Sequence, residues 1–123
     1  MIFIPGNVPS SKNAQQPVKV GGRYIILPKK SVQSYRKNTA DYWKLYKDDF
    51  KNSILGKGPP YRIAFQFIRK SRHKFDYINP LQTIQDEMAK HGWLEDDNAD
   101  ELLPILLPYK YDKENPGVII SVV

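Results

Sequence analysis

Apolar and polar residues alternate in two rhythms along this chain, and the changes of rhythm mark its elements. Ile2-Phe3-Ile4 is a short apolar run stopped by Pro5-Gly6 and Pro9. It predicts a strand followed by an irregular loop through residues 10–13. Residues 18–20 and 23–27 flank Gly21-Gly22, and two glycines free to take positive φ predict a two-residue hairpin. Over residues 34–54 the period lengthens: Tyr35, Thr39, Tyr42, Trp43, Tyr46, Phe50 and Ile54 recur at three- and four-residue steps. This predicts one helix, N-capped by Ser31 or Ser34 and ended by Gly56-Lys57-Gly58-Pro59-Pro60. Tyr61, Ile63, Phe65 and Phe67 then alternate with Arg62, Ala64, Gln66 and Ile68, the pattern of a half-buried strand.

A second helix is specified by its ends. Asn79 suits the N-cap, Pro80 the first helical position and Gln82 the third position of a capping box, while Gly92 suits the residue just past the C-terminus. Leu81, Ile84 and Met88 form its apolar stripe; Asn79, Gln82, Thr83 and Asp86 share another face. Residues 102–107 and 118–123 are further strand candidates. The order β, hairpin, α, β, α, β, β is too irregular for a doubly wound sheet. It predicts a single α+β domain over residues 1–123, a mixed or antiparallel sheet with two helices packed on it.

Composition narrows the classes. A chain of 123 residues with 41% hydrophobic content can close a core as one domain. It has no cysteine, which removes disulfides and thiolate metal sites and suits a cytoplasmic protein. Its first residues lack the pattern of a signal peptide, and no apolar run has the length of a membrane helix, so no membrane partner is expected.

Charge changes the picture more. Before residue 76 stand sixteen Lys/Arg and three acidic residues, a formal +13; from Asp76 onward stand three Lys/Arg and ten acidic residues, a formal −7. The sign changes at Arg69-Lys70-Ser71-Arg72-His73-Lys74-Phe75-Asp76. A cationic surface holds a phosphate backbone and carboxylates hold divalent metal, so the pair points to metal-assisted chemistry on nucleic acid.

Asp76 and Asp97 are the candidate metal ligands. They flank the second helix, which spans about 15 Å at 1.5 Å per residue, so they meet only if the chain folds back after Gly92. Arg69, Lys70, Arg72, His73 and Lys74 are the candidate phosphate contacts. The competing reading makes Asp76 a turn cap and residues 95–97 a solvated loop. Asp96-x-Asn98-x-Asp100 is not a calcium loop, because Glu101 and Leu107 stand where glycine and glutamate are required. No glycine-rich phosphate loop is present, so no nucleotide cofactor is expected.

Phe75-Asp76-Tyr77-Ile78-Asn79-Pro80-Leu81, Asp86 and then Gly92-Trp93-Leu94-Glu95-Asp96-Asp97 resemble the RusA family of Holliday junction resolvases. The stretch Ile4-Pro5-Gly6-Asn7-Val8-Pro9-Ser10-Ser11-Lys12-Asn13 resembles that family's strand and Pro-Ser-x-Asn loop, and Ser34-Tyr35-Arg36 the start of its first helix. The resemblance implies a homodimeric α+β endonuclease that cuts branched DNA with Mg²⁺, or Mn²⁺ as a substitute, in a bacterial or phage-infected cell. Carried over by position, Asp76 and Asp97 are catalytic metal ligands, Asn79 and Gln82 support the site, and Lys12, Asn13 and the basic run meet DNA. Ile78 stands where the family has a second aspartate, and Gln82 where it often has lysine. Asp96 or Asp86 then completes the ligand set, or the chain binds branched DNA with weakened or lost cleavage.

Overall fold

The computed structural model describes residues 1–10 and 15–123. The elements run β1 (Ile2–Pro5), β2 (Gln15–Val20), β3 (Arg23–Pro28), α1 (Lys30–Leu45), α2 (Lys47–Ser53), β4 (Tyr61–Arg69), α3 (Ile78–Lys90), β5 (Leu102–Leu106), β6 (Lys110–Tyr111) and β7 (Gly117–Val122). The fold is α+β with a mixed sheet ordered β1-β7-β4-β5, and β6 adds to the far end of β4. β7 is antiparallel to both β1 and β4, whereas β5 and β6 run parallel to β4. β2 and β3 form a separate two-stranded ribbon.

One face of the sheet carries the core. Ile2, Ile4, Ile63, Phe65, Phe67, Val118 and Ile120 are buried, while the alternate positions Phe3, Gln66, Ile68 and Ile119 are only half-buried. The helices cover the first face, contributing Trp43, Phe50, Ile84 and Met88 to the same cluster. Phe50 stacks on Trp93 at 4.9 Å, and the Trp93 indole N–H donates to the Trp43 carbonyl at 2.8 Å. Truncating an aromatic residue in such a core costs about 3–5 kcal/mol.

Four expectations need correction. The single helix over 34–54 is two, broken at Tyr46, whose N–H still donates to the Tyr42 carbonyl and whose carbonyl accepts from the Phe50 N–H. Its start is earlier than Ser31 or Ser34, because buried Val32 extends the apolar stripe by a turn; Lys29 takes the cap position without a side-chain hydrogen bond. Asn79 is likewise inside α3. The carbonyls of Asp76 and Tyr77 accept from Asn79 and Leu81, so backbone closes the first turn, and Tyr77 takes the cap position. Pro80 still falls within that turn, where a missing N–H removes no helical bond. Strand β4 is central rather than half-buried, with Ile63, Ala64 and Phe65 all buried between neighbours.

The hairpin glycines behave as expected, with φ of +58° and +81° at Gly21 and Gly22. β6 was not expected from its two-residue length. β7 lies inside the sheet between β1 and β4. The aromatic face of the first helix turns Tyr35 and Trp43 into the core.

Candidate metal centre and nucleic-acid interface

Strand β4 delivers the chain to the basic segment. Its last residue, Arg69, is 7% exposed, and its guanidinium donates to the Val8 carbonyl and to Ser10 Oγ. The same group lies 4.7 Å over the Phe75 ring, and burial lowers its pKa. Arg69 therefore ties the 8–10 loop to β4, and its charge is held inside the protein instead of facing solvent. Lys70 donates its backbone N–H to Asn7 Oδ1 at 3.0 Å and leaves its side chain exposed in a groove with Ser31 and Ser34.

Arg72, His73 and Lys74 are exposed and line an open pocket of about 640 Å³ with Ser10, Phe75, Asp76, Tyr77, Asn79 and Tyr109. Asp76 is the one carboxylate among these lining residues. An aromatic cluster shapes the floor: Phe75 meets Tyr77 edge-on at 5.3 Å and Tyr109 at 5.1 Å. The Tyr77 hydroxyl accepts the Tyr109 N–H at 2.8 Å, and Arg72 lies 4.5 Å over the Tyr111 ring. The strand pairing of β6 with the end of β4 brings residues 109–111 to this loop.

At the other end of α3 the chain reverses. Gly92 takes φ +77°, its N–H donates to the Ala89 carbonyl, and the Trp93 N–H donates to the Met88 carbonyl at 2.8 Å. This double bond is the Schellman arrangement, for which a residue with a Cβ is poorly suited at Gly92. Trp93 and Leu94 enter the core, and the acidic loop is carried back along the helix. Asp97 then comes within electrostatic range of Asp86. Burial raises the Asp86 carboxyl above its ordinary range, and the Asp97 charge raises it further; Arg36, 3.9 Å away, opposes this, and Glu87 adds to it. Asp96 turns within its own loop, accepting from the Asp97 N–H at 2.7 Å and the Asn98 amide at 3.1 Å. The backbone bond, with side-chain bonds from Asp97 and Asn98, lowers its pKa.

Fold-back after Gly92 is thus present, and the carboxylate it brings to Asp97 is Asp86. Asp76 stands before the helix, on the cationic pocket. Among the described residues, no three acidic or imidazole side chains are gathered closely enough to form a preassembled metal cage. Asn79 is half-buried beside Asp76, and Gln82 is exposed. Ile78 is 70% exposed, an apolar side chain presented to water beside Asp76. Lys12 and Asn13 lie outside the described residues.

Sequence reasoning missed Glu87. It is fully buried, with Arg36 Nε 2.9 Å from Oε1 and His91 Nε2 3.2 Å from Oε2. The Arg36 contact is one of charge without an aligned hydrogen bond, leaving Arg36 Nε, Glu87 Oε1 and the nearby Tyr35 hydroxyl unsatisfied. Burial, reinforced by Glu87, raises the Tyr35 hydroxyl pKa. The available signal was a carboxylate three residues after Ile84 on the apolar stripe of α3.

No protein-family model matches the chain, and no curated protein matches it either. Among the described residues, no helix is long and apolar enough to cross a membrane.

Proposed function

We propose that this chain is a RusA-like, Mg²⁺-dependent endonuclease acting on branched DNA, working as a homodimer. The observation that supports it best is the return of residues 93–97 along α3, which sets Asp97 against Asp86 on the helix whose start carries Asp76. Two carboxylates close enough to repel each other suit a hard divalent cation that prefers oxygen donors. Asp97 and Asp86 would hold it, and Asp76 lies just before the same helix, on the cationic pocket. When bound, the ion supplies a polarised phosphoryl oxygen and an acidified water.

The chain's own groups do the rest. Arg72, His73 and Lys74 hold phosphates flanking the scissile one, and Asn79 positions its oxygen. Water attacks phosphorus and the bond to the leaving sugar oxygen breaks. The proton of that water passes to a neighbouring base, and from there to solvent. The leaving oxygen takes a proton from solvent. A C2 dimer supplies the two sites that symmetric nicks require.

A labelled four-way junction incubated with the protein and Mg²⁺ tests this reading. Paired nicks are expected, with Asp97→Asn lowering the rate by roughly 10²–10⁴ while junction binding persists. An uncut junction, with DNA still bound under varied metal and pH, would leave only the binding function.

That second reading, a branched-DNA-binding protein with weak or absent cleavage, draws on Ile78. Its exposed aliphatic side chain adds no ligand beside Asp76. Ile78→Asp distinguishes the two: a rise in cleavage from a low or zero baseline marks a weakened site, whereas an unchanged high rate marks a site complete without it.

A further inference from the structure

The β2–β3 ribbon stands apart from the core, and its composition is unusual for an unpartnered hairpin. Val20, Tyr24, Ile25, Ile26 and Leu27 are all exposed, Tyr24 by 73% and Ile26 by 70%. A two-stranded hairpin is marginal in water on its own, and apolar side chains on both faces call for something to lie against. Its charge says what. The ribbon carries Lys19 and Arg23, its base carries Lys29 and Lys30, and no acidic residue occurs before Asp41. Lys19 pairs with Tyr24 and Val20 with Arg23 across the ladder, so cations flank the aromatic near the tip.

The ribbon is also rooted beside the basic surface. β2 begins five residues after Ser10, which lines the cationic pocket. β3 leads into α1, whose Ser31 and Ser34 share the groove of Lys70. A second copy of the chain is a poor occupant, because it would set the same four cations against themselves. A DNA duplex is a good one: β-ribbons enter grooves, cations meet phosphates, and exposed apolar side chains wedge against base steps.

We propose that the β2–β3 ribbon is a DNA-gripping arm, separate from the cleavage site, with Lys19 and Arg23 on phosphates and the Tyr24/Ile26 face against the groove. The proposal rests on the branched-DNA reading above. The test uses the full chain, a dye-labelled four-way junction and EDTA, with affinity followed by anisotropy over a KCl series. Lys19→Ala/Arg23→Ala should make the slope of log affinity against log salt shallower by about 1.8, for two phosphate contacts at about 0.9 each. Tyr24→Ser/Ile26→Ser should weaken binding roughly tenfold with the slope unchanged. Both variants should melt with the parent, since the substituted side chains lie outside the core. Parental binding by both, with the parent still holding DNA, overturns the arm and leaves the nuclease reading intact. A parent that binds neither junction nor duplex overturns both. Loss of self-association in the Tyr24→Ser/Ile26→Ser variant, with DNA binding unmoved, also overturns the proposal and assigns the face to a second copy.

Discussion

The two ends of α3 are built on opposite principles. Its C-terminal end is closed by two backbone bonds around Gly92, by Trp93 in the core and by the buried Arg36–Glu87–His91 group. Its N-terminal end opens onto a cationic pocket, begins with an exposed isoleucine and is steadied by aromatic contacts in the preceding loop. The difference teaches where each kind of free energy goes. The closed end fixes the direction in which Asp97 returns, and the open end leaves Asp76 and the basic side chains exposed to solvent.

This contrast can be broken from the closed end first. Glu87→Ala leaves His91 without its carboxylate and the partly exposed Arg36 with only Asp86, 3.9 Å away, so the cost falls at the low end of the roughly 3–5 kcal/mol for breaking a buried pair. Urea unfolding should show that loss, whereas Asp76→Ala at the open end should stay within about 0.5 kcal/mol of the parent. Equal costs at the two ends would dissolve the comparison. Gly92→Ala comes next. Holding alanine at φ +77° costs about 1–2 kcal/mol. Because the same turn aims Asp97 at Asp86, junction cleavage should fall by more than the lost stability explains at temperatures where the variant is fully folded.

The smallest effect sharpens the comparison at the middle of the helix. The folded-state pKa of Asp86 is raised, so its ionisation disfavours folding as pH climbs from the ordinary carboxylate range through the raised value. Asp86→Asn should therefore stabilise the fold slightly at neutral pH, by less than about 1 kcal/mol because the side chain is half-exposed and solvent screens it, a gain read as a small rise in melting temperature. The gain should vanish below the ordinary carboxylate pKa, where Asp86 is neutral in both folded and unfolded chains. A gain that persisted at low pH would assign it to something other than charge.

What the sequence made legible follows the same division. Gly21-Gly22 and Gly92 could be read because each turn depends on a backbone conformation that few residues adopt. The alternation of β4 and the aromatic period of the first two helices were visible because burial imposes the period. The helix starts were misplaced because backbone carbonyls and a buried valine set them, and the serines and Asn79 supply no cap there. The carboxylate pair was half legible. The turn at Gly92 announced a return, but which carboxylate Asp97 would meet depends on how far the loop runs back along α3. Arg69 looked like its basic neighbours in sequence; its burial depends on Val8 and Ser10, about sixty residues away.

The placement of β7 sets an order of events for a nascent chain. β1 sits at the sheet edge with β7 as its neighbour, and Ile2 faces Ile120 across the ladder. β1 must therefore wait, its buried isoleucines unshielded, until more than a hundred further residues have been translated. During that interval the helices and β4 can assemble by shorter-range contacts, and closing the sheet is the late step that locks the earliest segment into place.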